Sequence, residues 1–143
     1  MKLYFLPEKE KSFFTCLAAV KNDFSEFIYV PNSLKNNKEF LTLAIRSNAN
    51  LFVFIPEEYK NEEFYLSIID NDKVFKLLDD SEKTTNLCFK AIEHNFHSFY
   101  YIPDKFLTFE LYVHLLKCHP RANDIGFIKN QYRKLFLERL CSQ

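Results

Sequence analysis

Similar segments recur along this chain about every 24 residues, and a period of that length commits a chain to stacking supersecondary units on one another. The segments Ala19–Pro31, Ala44–Pro56 and Ala91–Pro103 each place Pro twelve residues after Ala. A β-branched residue follows each Ala (Val20, Ile45, Ile92) and another precedes each Pro (Val30, Ile55, Ile102). Ile68 to Asp80 fits the same frame, with Ile68 at the Ala and Asp80 at the Pro, and Leu115-Leu116 opens a fifth, deviating copy. The anchors 19, 44, 68, 91 and 115 are 25, 24, 23 and 24 residues apart. Pro7 lies 24 before Pro31, so residues 1–10 read as a truncated copy.

Aligned by these anchors, the columns carry physical content. Four before the anchor stand Thr15, Phe40, Phe64, Leu87 and Leu111, and three before it Cys16, Leu41, Tyr65, Cys88 and Tyr112. One after it stand Val20, Ile45, Ile69, Ile92 and Leu116. Apolar residues at −4, −3, 0 and +1 make one helix face, so each copy opens with an amphipathic helix of about ten residues. Asn36/Asn37, Asn61 and Thr84/Thr85 sit where its N-cap belongs. The second element is short and almost wholly apolar: Phe27–Val30, Leu51–Ile55, Val74–Leu78 and Phe99–Ile102. Its β-branched and aromatic content suits a strand, whereas the box Asp23-x-x-Glu26 suits a short helix, which is the reading favoured here.

One copy cannot bury its own apolar face, so the expected fold is all-α: a helical-repeat solenoid of four to five two-helix repeats. The alternative is an α/β repeat with very short strands. A single domain over 1–143 is expected, with residues 1–10 as an N-terminal half-repeat cap, 11–126 as repeats and 127–141 as a C-terminal capping helix. That helix is apolar at Phe127, Ile128, Tyr132, Leu135, Phe136 and Leu140 and basic at Lys129, Arg133, Lys134 and Arg139. With no linker or low-complexity stretch, the chain reads as a complete small protein.

The alternation Lys38-Glu39-Phe40…Ala44-Ile45…Asn48…Phe52…Ile55-Pro56…Tyr59-Lys60-Asn61 resembles the short tandem helical repeats of a bacterial domain family of unknown function. The resemblance extends over about residues 11–108. Members of that family often occur as arrays in large proteins of host-associated bacteria. The resemblance implies a helical-repeat scaffold and brings no catalytic residues.

Composition removes several function classes. The single glycine, Gly126, leaves none for phosphate-cradling loops, dinucleotide fingerprints or nucleophile elbows. Nineteen basic and nineteen acidic residues give no overall case for coating nucleic acid or an acidic membrane. The charge is nonetheless uneven. Residues 47–82 carry three basic and nine acidic groups, and residues 117–143 carry six and two. The apolar start stops at Pro7, too short for a signal peptide, and no run reaches the ~20 apolar residues of a membrane span. Four scattered cysteines make no disulfide framework, so a reducing cytoplasm is expected, or export without an N-terminal signal, for example into a host cell.

Each piece of local chemistry has to be weighed against packing. His94 and His97 are three apart, and Cys118-His119 places a thiol beside an imidazole, but neither follows a zinc spacing, so no metal and no cofactor are expected. Cys16 and Cys88 share a column with Leu41, Tyr65 and Tyr112 and read as buried packing residues. The pairs Glu57-Glu58, Glu62-Glu63 and Asp79-Asp80 read as solvated turns. The functional expectation is a non-catalytic protein-binding module. An aromatic column, Tyr29, Phe54, Leu78 and Tyr101, would serve as the partner-binding strip. Adaptor, bacterial effector and stoichiometric inhibitor are the roles such a module fills. The alternative is nucleic-acid or nucleoprotein binding through Lys129, Tyr132, Arg133 and Lys134 of the last helix.

Overall fold

The computed structural model describes residues 2–124 and 126–141, with the side chains of residues 123, 124, 127, 129 and 132 left aside. The class is all-α. Among the described residues there is no strand. The α-helices are α1 (Phe13–Asn22), α2 (Asn32–Lys35), α3 (Lys38–Ser47), α4 (Glu62–Ile68), α5 (Asp72–Leu77), α6 (Thr85–His94), α7 (Phe109–Cys118) and α8 (Gly126–Cys141). Between them run short 3₁₀ segments, among them Leu3–Phe5, Phe24–Tyr29, Ala49–Phe54 and Phe96–Tyr101.

Five of the helices begin in the same way. The side-chain oxygens of Ser12, Asn37, Asn61, Thr84 and Thr108 accept hydrogen bonds from the backbone N–H three residues on, at Thr15, Phe40, Phe64, Leu87 and Leu111. Each bond satisfies one of the amides that a helix start leaves without a partner. The helix face anticipated from the repeat is the core: Phe40, Leu41, Ala44 and Ile45 are wholly buried in α3, as are Leu87, Cys88 and Ile92 in α6. Cys16 is likewise wholly buried, and burial pushes the Cys16 thiol up and the Cys88 thiol up to about 11.

Two asparagines that follow helices, Asn48 and Asn71, are each used twice. Asn48 caps its own 3₁₀ segment by accepting from the Asn50 N–H (3.1 Å), while its Nδ2 donates back to the Val20 and Lys21 carbonyls at the end of α1 (3.2 and 3.4 Å). Asn71 repeats this with the Lys73 N–H (3.0 Å) and the Ile45 and Arg46 carbonyls at the end of α3 (3.2 and 2.9 Å). At the end of α7, His119 Nε2 donates to the Ile92 carbonyl at 2.7 Å. A buried or half-buried carbonyl without a partner costs free energy, so these bonds fix how one helix end meets the next repeat.

The chain groups into two compact units, Met1–Leu77 and Leu78–Gln143. In the first, α1 packs on α3 and α3 on α4. The segments Leu3–Phe5, Phe24–Tyr29 and Ala49–Phe54 and helix α5 form a second row, each against the next. The segment Leu3–Phe5 starts that row. Glu26 joins it: its carboxylate, buried with its side chain, accepts from the Leu3 N–H at 2.7 Å and pairs with Lys2 at 3.3 Å. This corrects the capping-box reading, because Glu26 reaches the neighbouring segment and Asp23 caps through the Ser25 N–H instead. In the second unit, α6 packs on α7 and α7 on α8.

The short second elements are helical, and three of the four are 3₁₀ helices. The joints that follow them are alike. Pro7, Pro31, Pro56 and Pro103 have φ between −57° and −61° and ψ between 145° and 150°. Asp79 adopts φ −66° and ψ 149°, so Asp79, not Asp80, stands at the proline position of the third repeat. Gly126 has neither a positive φ nor any atom within 4 Å of where a Cβ would lie, so the bend before α8 does not demand a glycine. No described residue of any kind has a positive φ.

Candidate interaction surface

A 3₁₀ helix has three residues per turn, so side chains three apart eclipse and one line of the segment faces outward. Counted back from the proline position, the residue immediately before it is buried in every full repeat: Val30, Ile55, Leu78 and Ile102. The fourth residue back is buried or half-buried: Leu3, Phe27, Phe52, Phe75 and Phe99. Exposure falls on the second and third residues back. In the first unit these include Tyr4 (65% exposed), Phe5 (79%), Ile28 (58%), Val53 (71%) and Leu77 (45%).

These residues belong to four segments that pack side by side in one row. Their exposed apolar surface amounts to on the order of 500 Å², judged from ordinary side-chain areas, which is at the upper end of what a soluble chain shows without a use for it. The layer beneath is ordered by ring contacts. Tyr4 meets Tyr29 edge-on at 5.4 Å, and Phe54 stacks on Phe27 at 4.6 Å. Lys35 reaches over Phe27 and donates to the Ile28 carbonyl at 3.0 Å.

The structure places the anticipated strip of Tyr29, Phe54, Leu78 and Tyr101 at unequal depths. Leu78 is 3% exposed, a core residue, because the shorter third repeat turns at Asp79, one position earlier than the spacing suggests. Tyr29 and Phe54 are half-buried supports in the first unit, and Tyr101 is exposed in the second. In the first unit the outward residues lie one position earlier, at Ile28, Val53 and Leu77, and within the second unit Tyr100 is exposed. A run that is apolar throughout carries no alternation, so nothing within Leu51–Ile55 announces that Val53 is the outward residue.

A lysine column escaped the sequence reading. Four residues after Pro7, Pro31, Pro56 and Asp79 stand Lys11, Lys35, Lys60 and Lys83. Three of them pair with an acid one turn back: Lys11 with Glu8 (2.7 Å), Lys60 with Glu57 (2.6 Å) and Lys83 with Asp80 (3.1 Å). The Lys83 side chain is buried and its ammonium also donates to the Tyr101 carbonyl at 2.7 Å. The signal was available, since placing Asp79 at the proline brings Lys83 into register.

Of the nucleic-acid alternative, the side chains of Lys129 and Tyr132 lie outside the described residues, and Arg133 and Lys134 are exposed on α8. Arg139, assigned to the same outer face, instead bridges to α7, pairing with Glu110 at 2.6 Å over the Phe109 ring. The expected apolar face of α8 is partly realised, with Ile128 buried but Phe136 and Leu140 exposed.

His94 and His97 are both exposed, and the His97 N–H is taken by the Asn95 cap. Among the described residues no group of three or more His, Cys, Asp or Glu side chains is arranged to hold a metal ion. Cys118 finds an imidazole, but it is that of His114 at 3.8 Å, and His119 is committed to the Ile92 carbonyl.

A family model described as a domain of unknown function (DUF4116) matches residues 15–60. The chain is similar to that family over α1 to the turn after Ala49–Phe54, the stretch that holds Ile28 and Val53. No curated protein and no solved structure matches the chain.

Proposed function

We propose that this chain is a non-catalytic protein-binding module, built as a helical-repeat solenoid and recognising its partner through the apolar ridge of the first unit. The observation that carries this reading is the line of exposed apolar side chains (Tyr4, Phe5, Ile28, Val53, Leu77) on segments that pack in one row. Such residues cost solubility when bare and gain roughly 25 cal/mol per Å² when covered. Tyr4 and Phe5 act as the large anchors, and Ile28 and Val53 extend the contact along the row. The acidic middle of the sequence and its basic end orient the encounter. Adaptor, effector and stoichiometric inhibitor are all roles for a surface of this kind, in the cytoplasm of the producing cell or after export. Among the described residues no helix is long and apolar enough to cross a membrane.

The test is affinity purification with the Ile28→Asp/Val53→Asp double variant beside the wild type, both treated with nuclease. The expected result is one protein partner recovered by the wild type and lost by the variant, with the melting temperature changed by no more than about 2 °C, since both residues are exposed. Retention of the partner by the double variant overturns the ridge as the interface. Loss of the partner on nuclease treatment, or on charge reversal of Arg133 and Lys134, favours the nucleic-acid reading instead.

A further inference from the structure

Phe109, Val113 and Lys117 are spaced four apart in α7, so they fall one above the other along a single stripe of that helix. The stripe is apolar at its first two positions and cationic at its third. Phe89 of α6 flanks it, its ring 5.0 Å from that of His114, and from α8 the Arg139 guanidinium lies over the Phe109 ring at 4.8 Å. Between them is a cleft of about 360 Å³, lined by these six side chains and Glu110. It is formed wholly by residues of the second unit, none of which belongs to the apolar ridge.

The charges around the cleft select what fits it. Glu110 is paired with Arg139 at 2.6 Å. Glu93 is held between His114 at 2.9 Å and Lys90 at 3.5 Å. Lys117 is exposed and has no acidic partner among the described residues. Its full charge is thus the surplus at the cleft, and it exceeds the roughly half-unit of opposite sign that the end of α7 presents. From Phe109 to Lys117 the helix rises about 12 Å, so a floor of that length begins on a ring and ends on an ammonium. The volume falls at the lower end of the range for small-molecule sites, which are mostly apolar with a few placed polar groups.

We propose that this cleft binds a small aromatic monoanion, with its ring system against Phe89, Phe109 and Val113 and its carboxylate on Lys117. The rings of Phe89, Phe109 and His114 offer faces and edges to a flat body. One carboxylate matches the one surplus cation. A second negative charge on the ligand would have no cation left for it, because Arg139 is engaged by Glu110 and Lys90 by Glu93.

The full chain is titrated with 2-naphthoate, followed by calorimetry and by amide chemical shifts. One-to-one binding is expected, with shifts at Val113, His114 and Lys117 and none at Ile28 or Val53. 2-Naphthamide, which has the same shape without the charge, is expected to bind about tenfold more weakly. Lys117→Gln, a change at an exposed residue, is expected to weaken 2-naphthoate about tenfold and to leave 2-naphthamide unchanged, so that the two then bind alike. Equal affinity of the wild type for acid and amide, or an acid affinity unmoved by Lys117→Gln, overturns the recognition of charge by Lys117. No binding of 2-naphthoate, or shifts confined to the first unit, overturns the cleft as the site.

Discussion

Asn71 performs two tasks that one atom swap separates. Its Oδ1 accepts from the Lys73 N–H at 3.0 Å, and its Nδ2 donates to the Ile45 and Arg46 carbonyls at 3.2 and 2.9 Å. Asn71→Asp keeps the first and turns the second against the fold, since a carboxylate oxygen then faces two carbonyl oxygens. Two lost hydrogen bonds at about 1 kcal/mol each, plus that repulsion, give a loss of about 2–4 kcal/mol at neutral pH. The matched control is Asn37→Asp, where Oδ1 only accepts, from the Phe40 N–H at 2.8 Å, at a helix start that favours negative charge. That change is expected to stay within about 0.5 kcal/mol of wild type. Because the fold disfavours the charged form of the carboxyl introduced in Asn71→Asp, its pKa is raised on folding. The charge part of the penalty is therefore absent below the unfolded carboxyl pKa, grows as pH rises from there and is complete above the folded one. Urea unfolding followed by circular dichroism at pH 3.5 and pH 7 measures both variants. Equal stabilities of Asn71→Asp and Asn37→Asp at pH 7 would refute the idea that these bridges hold one repeat to the next.

Further outcomes follow from the same geometry. Asp79→Pro is expected to stabilise the fold by about 0.4–1 kcal/mol, read as a rise in melting temperature, because the backbone at Asp79 already matches that of the four prolines. Leu78→Ala is expected to cost about 2–4 kcal/mol in denaturant unfolding, as for any buried leucine, whereas a surface role would leave stability unchanged. Hydrogen bonds from Ser25, with Lys2 beside them, lower the Asp23 carboxyl to about 2. Its stabilising contribution is thus complete above the ordinary carboxylate range and is lost as pH falls toward 2. An acid melting series should show that loss blunted in Asp23→Asn.

The helix face was legible because burial in an α-helix follows a period that sequence can display: Phe40, Leu41, Ala44 and Ile45 announce themselves by spacing and are all wholly buried. The caps were legible for the same local reason, since Asn61 and Thr84 act three residues away. What was hidden depended on distant partners or on registers without contrast. Glu26 looks like half of a capping box until the Leu3 N–H, 23 residues back, claims its carboxylate. Asp79 and Asp80 are the same letter, so only the backbone angles show which one turns the chain. Cys118 stands next to His119 in sequence, yet helical geometry carries the thiol to His114, one turn away.

The absence of positive φ among the described residues has a consequence for how such a chain changes over generations. Left-handed backbone positions act as fixed letters, because only glycine occupies them without strain. Here each bend is made from conformations open to any L-residue, as Asp79 shows by standing in for a proline. The bends of such a chain therefore tolerate many letters, and what constrains the sequence is burial and a few cap oxygens. In such a chain a substitution at a bend is expected to be felt through lost contacts and not through backbone strain.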